Sequence, residues 1–164
     1  MRYLKPYVLS LVAGLALAFS ATTASAGTEV SVELWNKGAT IAMPTDLAYG
    51  MPTPDLSKVS MGIKLSRASV PAGEVTFEVT NSSKDSIHEM IVMYLREPLK
   101  SLPYIENEKR VDEDKFGDKG EVSELGPGKS GALSIVLGPG KYLLICNMPG
   151  HYAAGMWTEF EVTK

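Results

Sequence analysis

Short segments in which apolar and polar residues alternate recur along the 164-residue chain, and turns that contain glycine or proline separate them. Residues 74–80, Glu-Val-Thr-Phe-Glu-Val-Thr, alternate strictly, which is typical of a strand with one buried face. Further strand candidates are residues 30–35, 61–65, 87–95, 132–137, 142–146 and 157–162. Several short strands joined by such turns predict an all-β protein, a Greek-key β-sandwich.

Two stretches do not fit this pattern. Residues 36–58 contain several prolines together with Met43 and Met51, and we expect an irregular insertion there. Residues 96–120 are charged, and their poor apolar periodicity predicts an excursion from the sheet, with a short helix around Tyr104–Phe116. A smaller feature, Val70-Pro71-Ala72-Gly73, predicts a turn between strands.

The first 26 residues have the features of a secretory signal peptide: Arg2 and Lys5, an apolar run over residues 7–19, and Ala24-Ser25-Ala26. An uncleaved anchor is the alternative, but the run is shorter than the roughly 20 apolar residues that span a bilayer. We therefore expect a periplasmic protein without stable membrane insertion. The expected organisation is a signal peptide over 1–26, a strand and irregular segment over 27–60, and the sandwich domain over 61–164.

The chain from Gly27 onward carries 14 basic and 19 acidic side chains, a net charge of −5. An acidic balance argues against nucleic acid and anionic membranes as partners, and we expect a monomer. Cys146 is the only cysteine, so the chain cannot form an internal disulfide. A lone thiol in an oxidising compartment must be protected or used.

Three soft or borderline donors follow one another at equal spacing: Cys146, His151 and Met156. Thiolate, imidazole and thioether groups favour copper(I) and zinc, and a tight loop between two strands can fold them around one ion. His88, the only other histidine, lies in a predicted strand and completes the set. Two histidines and one cysteine with a weak axial methionine constitute a blue-copper site.

On these residues the chain resembles the cupredoxins, the family of small blue-copper proteins. The resemblance covers residues 61–164, and the loop spacing is most similar to rusticyanin- and sulfocyanin-like members. It implies one copper ion held by His88, Cys146 and His151 with Met156 axial. It also implies one-electron transfer without substrate chemistry, to or from a redox protein such as a c-type cytochrome, an oxidase or a reductase.

Glu89 departs from the family pattern, in which asparagine or serine often follows the first ligand histidine. Strand alternation predicts that Glu89 faces solvent if His88 faces the core; otherwise its carboxylate could depress the copper potential. The resemblance also implies a docking patch around His151, formed by Pro149, Gly150, Tyr152 and Ala153, although Tyr152 could instead simply pack. The acidic run at 112–114 is either a solvated face or a surface that steers a basic partner.

Two other functions remain open at this point. A periplasmic copper chaperone or copper-resistance protein could use the same fold, with Met43 and Met51 as a second copper(I) site. An enzyme could use Cys146 as a nucleophile with His151 or His88 as the base, but no residue that would orient the base is evident. Cys146 and Met156 could also be ordinary core residues, since both types pack well in apolar interiors.

Overall fold

The computed structural model describes residues 27–38, 40, 42–96 and 101–164. The described residues form two mixed β-sheets, which confirms the predicted all-β sandwich. One sheet has the strand order β2 (Met61–Leu65), β1 (Thr28–Asn36), β4 (Gly73–Asn81) and β9 (Ser130–Leu137). The other has the order β3 (Ser69–Pro71), β11 (Trp157–Thr163), β10 (Gly140–Ile145), β5 (His88–Tyr94) and β8 (Asp118–Leu125).

The main core lies between these two sheets and follows from the alternation in the sequence. In β4, Val75, Phe77 and Val79 are fully buried, while the residues between them face outward. Phe77 packs edge-on against Phe160 of β11, with 5.3 Å between the ring centroids. On the outer face, the Thr76 hydroxyl shares a hydrogen bond with that of Ser134 in β9. Burial of one face and hydration of the other therefore fix the strand register.

Strands β5 and β10 are buried on both faces, because a second apolar cluster covers the outside of their sheet. Met90 of β5 belongs to the main core, whereas Ile91 and Met93 belong to the second cluster. The cluster also contains Leu95, Leu102, Val111, Leu143, Ile145 and Tyr152. A strand covered on both sides shows no alternation, which matches the continuous apolar run of residues 142–146.

The charged excursion supplies part of this cover. It contains a small two-stranded sheet, β6 (Tyr104–Ile105) with β7 (Arg110–Val111), and one helical turn, α1 (Glu113–Phe116). The helix predicted around Tyr104–Phe116 is therefore confined to its last four residues. The predicted turn at Val70–Gly73 is likewise shorter, because Val70 and Pro71 belong to β3.

The irregular N-terminal segment is packed against the sandwich. Leu47 is fully buried, and its backbone N–H donates to the Ala153 carbonyl at 2.9 Å. The Trp157 indole N–H donates to the Leu47 carbonyl at 2.7 Å. A short 3-10 helix follows at Leu56–Lys58. The predicted signal peptide lies outside the described residues, and among the described helices none could span a membrane.

Candidate metal centre

The loop between β10 and β11, here called the ligand loop, spans residues 146–156. Cys146 follows β10 directly and Met156 precedes β11. The Cys146 N–H donates to the Met156 carbonyl at 3.0 Å, which closes the base of the loop. Gly150 and Gly155 adopt positive φ angles of 83° and 92°, which allow its tight turns. Folding the loop on itself in this way returns His151 toward Cys146.

His88 reaches the same place from the neighbouring strand. It is the first residue of β5, which pairs with β10 in antiparallel register, Ile91 opposite Ile145. The turn before it is held by the buried Asn81 side chain, which donates to the carbonyls of Ser86 and Leu125 at 2.8 and 2.7 Å. The start of β5 is therefore fixed next to the ligand loop.

Three of the four predicted donor atoms converge. The Cys146 Sγ lies 3.3 Å from Nδ1 of His151 and 4.0 Å from Nδ1 of His88, and the two Nδ1 atoms are 3.2 Å apart. Metal bonds to nitrogen and sulfur of about 2.0–2.3 Å in a trigonal plane would separate such donors by about 3.5–3.8 Å. The observed distances bracket this range, so the three side chains fit one small ion.

Burial keeps both imidazoles neutral, as metal ligation requires, but it also keeps the Cys146 thiol protonated. It lowers the pKa of His88, and together with the charge of the neighbouring His151 it brings this pKa to about 4. It also lowers the pKa of His151 to about 4, with an added contribution from the Arg110 charge. Both imidazoles are therefore neutral near pH 7. Burial raises the pKa of the Cys146 thiol to about 12, so a metal must displace its proton.

Met156 is fully buried in the core cluster that also contains Cys146. Its backbone N–H donates to the His151 carbonyl at 3.0 Å, which holds it on the same loop as two of the donors. Together, His88, Cys146, His151 and Met156 match the donor set of a type 1 copper site. The axial role of Met156 stays a prediction.

The expectation for Glu89 was wrong in one respect. Glu89 is only 6% exposed, because the outer face of β5 is covered rather than solvated. Its backbone N–H lies 3.5 Å from the Cys146 Sγ, and its Oε1 has no hydrogen-bond partner among the described residues. Burial raises the pKa of its carboxyl, and the Glu113 carboxylate raises it further.

Two residues near the donors were not identified from the sequence. The Asn147 amide accepts from the Val111 N–H at 2.6 Å and donates to the Val111 carbonyl at 3.0 Å. It also donates to the Glu113 carboxylate at 2.5 Å. Arg110, next to Val111, lowers the pKa of His151, as noted above. The sequence carries no signal for these contacts, because Val111 and Glu113 lie more than 30 residues from Asn147.

The predicted docking patch is largely covered. Gly150, Tyr152 and Ala153 are buried, and Pro149 alone of its four predicted members is exposed. The Gly150 N–H donates to the Lys109 carbonyl of the excursion at 2.8 Å, while the N-terminal segment covers Ala153 through Leu47. His151 itself remains half-buried. A partner would therefore meet the covering segments as well as the ligand loop.

The acidic run at 112–114 is not a uniformly solvated face. Asp112 caps α1 by accepting from the Lys115 N–H at 3.1 Å, and its carboxylate forms an ion pair with the Lys115 ammonium at 2.9 Å. Glu113 is half-buried against Asn147. Of the three acidic residues in the run, Asp114 is the exposed one. This composition leaves little acidic surface there for steering a partner.

Comparison with known proteins shows the fold. No protein-family model matches the chain, and no curated protein does either. Among solved structures, reduced auracyanin from Roseiflexus castenholzii is 21% identical, with 86% of this chain and 99% of that one covered and a TM-score of 0.50. Auracyanin B is also 21% identical, with coverage of 87% and 94% and a TM-score of 0.52. Rusticyanin from Thiobacillus ferrooxidans is 17% identical, with coverage of 84% and 79% and a TM-score of 0.50. These proteins are cupredoxins, and the chain shares their fold.

Proposed function

We propose that this chain, which has the cupredoxin fold, is an exported type 1 copper protein that carries single electrons between redox partners. The convergence of Cys146 Sγ with the Nδ1 atoms of His88 and His151 carries the proposal, because these distances lie within a few tenths of an ångström of those around one ion. The bound copper would supply a one-electron Cu(II)/Cu(I) couple.

The protein would contribute a rigid and dry surrounding. His88 is fixed by the Asn81 turn and Cys146 by its place at the end of β10, so the donors need not move with oxidation state. Cys146 and Met156 are fully buried, which excludes water from that side of the site. The Glu89 N–H directed at the Cys146 sulfur would stabilise negative charge on it. Met156 would be the weak axial ligand, which favours copper(I).

Export and the nature of the partner belong to the same proposal. The basic, apolar and small-residue sequence of residues 1–26 supports cleavage and release into the periplasm. The acidic chain would act as a monomer, with a redox protein such as a c-type cytochrome, an oxidase or a reductase as partner. A basic partner surface would suit its net charge.

A nucleophilic enzyme is a poor alternative. A reactive cysteine is partly exposed and has a lowered pKa, whereas Cys146 is fully buried and burial raises its pKa to about 12. The thiol therefore behaves as a metal donor or a core residue in this fold. Accordingly, the proposed function involves no substrate chemistry.

A visible absorption spectrum tests the proposal. The chain from Gly27 would receive one equivalent of copper(II) and then be titrated with ascorbate. We expect an intense blue or green band that bleaches on reduction and returns on oxidation. Copper that binds without such a band would reject the electron-carrier proposal.

Exposed methionines favour one second candidate, a copper chaperone or copper-resistance protein. Met43 is 47% exposed, and its terminal methyl carbon lies 3.5 Å from where a Cβ on Gly150 would stand, next to the ligand loop. Met51 is 42% exposed in the same segment. Replacing both with leucine and counting copper(I) per chain tests this function. A loss of one bound copper(I) would support it, while an unchanged count would reject it.

A further inference from the structure

The charged excursion, residues 96–120, contacts the ligand loop through Lys109 and Val111, the two neighbours of Arg110. The carbonyl of Lys109 accepts the Gly150 N–H at 2.8 Å, and both backbone groups of Val111 bond to the Asn147 side chain. Gly150 directly precedes His151, and Asn147 directly follows Cys146. The residue between the two contact points, Arg110, is thereby held beside two of the three converging donors.

The backbone of Lys109, next to Arg110, adopts an unusual conformation where it contacts the ligand loop. Lys109 has a φ of 55°, a left-handed conformation that residues other than glycine seldom adopt. That conformation costs free energy, and the surrounding structure must maintain it. Asn147 is 1% exposed and both polar atoms of its side-chain amide are hydrogen-bonded, so its contact with Val111 is a buried one. Two contacts and a strained residue together define a clamp, residues 109–111 with Asn147 and Gly150.

The Arg110 charge is not neutralised by an ion pair within the described residues, whose ion pairs involve only Lys58, Lys64 and Lys115 as cations. Its side chain is half-buried. After burial, its charge is the next cause that lowers the pKa of His151; at Cys146 it is a minor cause, and the Glu89 charge acts in the opposite direction there. The two backbone contacts on either side of Arg110 place this cation beside the ligand loop.

We infer that Arg110 is a positioned cation that raises the reduction potential of the copper site, and that the clamp holds it there. The inference rests on the proposed function. With one thiolate and two neutral imidazoles, the oxidised site carries one more positive charge than the reduced site. A fixed guanidinium therefore destabilises copper(II) relative to copper(I), which raises the reduction potential. Arginine stays charged at all relevant pH values, so this effect is constant.

The test is Arg110→Gln, with Arg110→Lys as the charge-conserving variant. We expect Arg110→Gln to change the ratio of copper(II) to copper(I) affinity by about tenfold in favour of copper(II), the order expected for one partly solvated unit charge. For one electron, a tenfold ratio corresponds to a decrease in potential of about 59 mV. Arg110→Lys should recover most of the wild-type potential. Potentials measured by redox titration and affinities measured by chelator competition give two separate readouts.

Lys109→Gln is the matched control, since it removes the same charge from an exposed neighbour. Water screens an exposed charge, so we expect a clearly smaller shift. An equal shift in Lys109→Gln would overturn the assignment to Arg110. An unchanged potential in Arg110→Gln with the visible band intact, or a Lys variant as low as the Gln variant, would overturn it as well.

Asn147→Ala tests the clamp separately and replaces Arg110→Gln if that variant fails to fold. It leaves the charge in place but releases the segment that carries it, so the potential should also fall. In the Asn147→Ala, Arg110→Gln double variant, the two shifts should not add, because both remove one effect. Additive shifts would overturn the clamp. A wild-type protein with no visible band would instead reject the proposed function itself.

Discussion

The backbone N–H of Glu89 is directed at the Sγ of Cys146, with 3.5 Å between nitrogen and sulfur. Glu89 lies in β5 and Cys146 directly follows β10, and the antiparallel register of these two strands places both residues at the same end of the sheet. Hydrogen bonds to a ligating sulfur tune the potential of copper sites. The end of the sheet therefore places a hydrogen-bond donor beside the sulfur that would bind copper.

Replacing Cys146 with serine should abolish the intense visible band of the copper-loaded protein. A hydroxyl is a hard donor and cannot provide the sulfur-to-copper charge transfer that a thiolate provides. Absorption spectra at equal copper occupancy check this. A Cys146→Ser protein that remains blue would contradict the assignment of Cys146 as the ligand.

Met156→Leu should raise the reduction potential while copper stays bound. Leucine fills a similar buried volume but removes the thioether, so copper(II) would lose the donor proposed for Met156. Redox titration and copper quantification of the two proteins measure the effect. Met148→Leu is a suitable control, since Met148 is a half-buried methionine of the same loop. Loss of copper from Met156→Leu would show that Met156 is more than a weak ligand.

The strands of the sandwich were predictable from local pattern because their environment is simple. In β4 every second residue is buried, so the sequence alternates with the structure. The pattern fails where a strand is covered twice. Glu89 lies on the outer face of β5, as alternation predicts, but the second apolar cluster covers that face. Nothing in the sequence near Glu89 shows that distant segments pack there.

The residues of the candidate site likewise fall into two groups, those that the sequence could predict and those that it could not. Cys146, His151 and Met156 could be found because one loop holds all three, and His88 because the chain has no other histidine to offer. Asn147 and Arg110 could not be found, because their role depends on a contact between the ligand loop and the excursion. Such contacts arise from tertiary packing, and no regular spacing of residues in the sequence indicates them.

Glu89→Gln should stabilise the copper-free protein at pH 8 by about 1 kcal/mol. Burial raises the pKa of the Glu89 carboxyl in the folded protein above its unfolded value. The stability that its neutral form contributes is therefore present at low pH and is lost as pH rises through the folded pKa. Glutamine stays neutral, so the difference from wild type should disappear at about pH 4. Denaturant unfolding at both pH values checks this, and equal stability at pH 8 would contradict it.

Leu47→Ala should lower the free energy of unfolding by about 2–5 kcal/mol, the range for a buried leucine. Leu47 is fully buried although it lies in an irregular segment, and it packs against Gly155 of the ligand loop. Leu56→Ala is the matched control: Leu56 belongs to the same segment but is 65% exposed, so its effect should stay within about 0.5 kcal/mol. Similar losses in both variants, measured by denaturant unfolding, would show that the segment is not docked on the sandwich.

Copper(I) binding at pH 7 should release one proton per ion. Burial raises the pKa of the Cys146 thiol to about 12 and lowers those of His88 and His151 to about 4, so only the thiol carries a proton to displace. Affinity should therefore rise about tenfold per pH unit above the histidine pKa values and more steeply below them. Proton release in weakly buffered solution, and chelator competition at pH values above and below the histidine pKa values of about 4, check this. Cys146→Ser should release no proton at pH 7. Release of two or more protons from the wild type at that pH would mean that a histidine is charged in the copper-free site, against the burial that the structure shows.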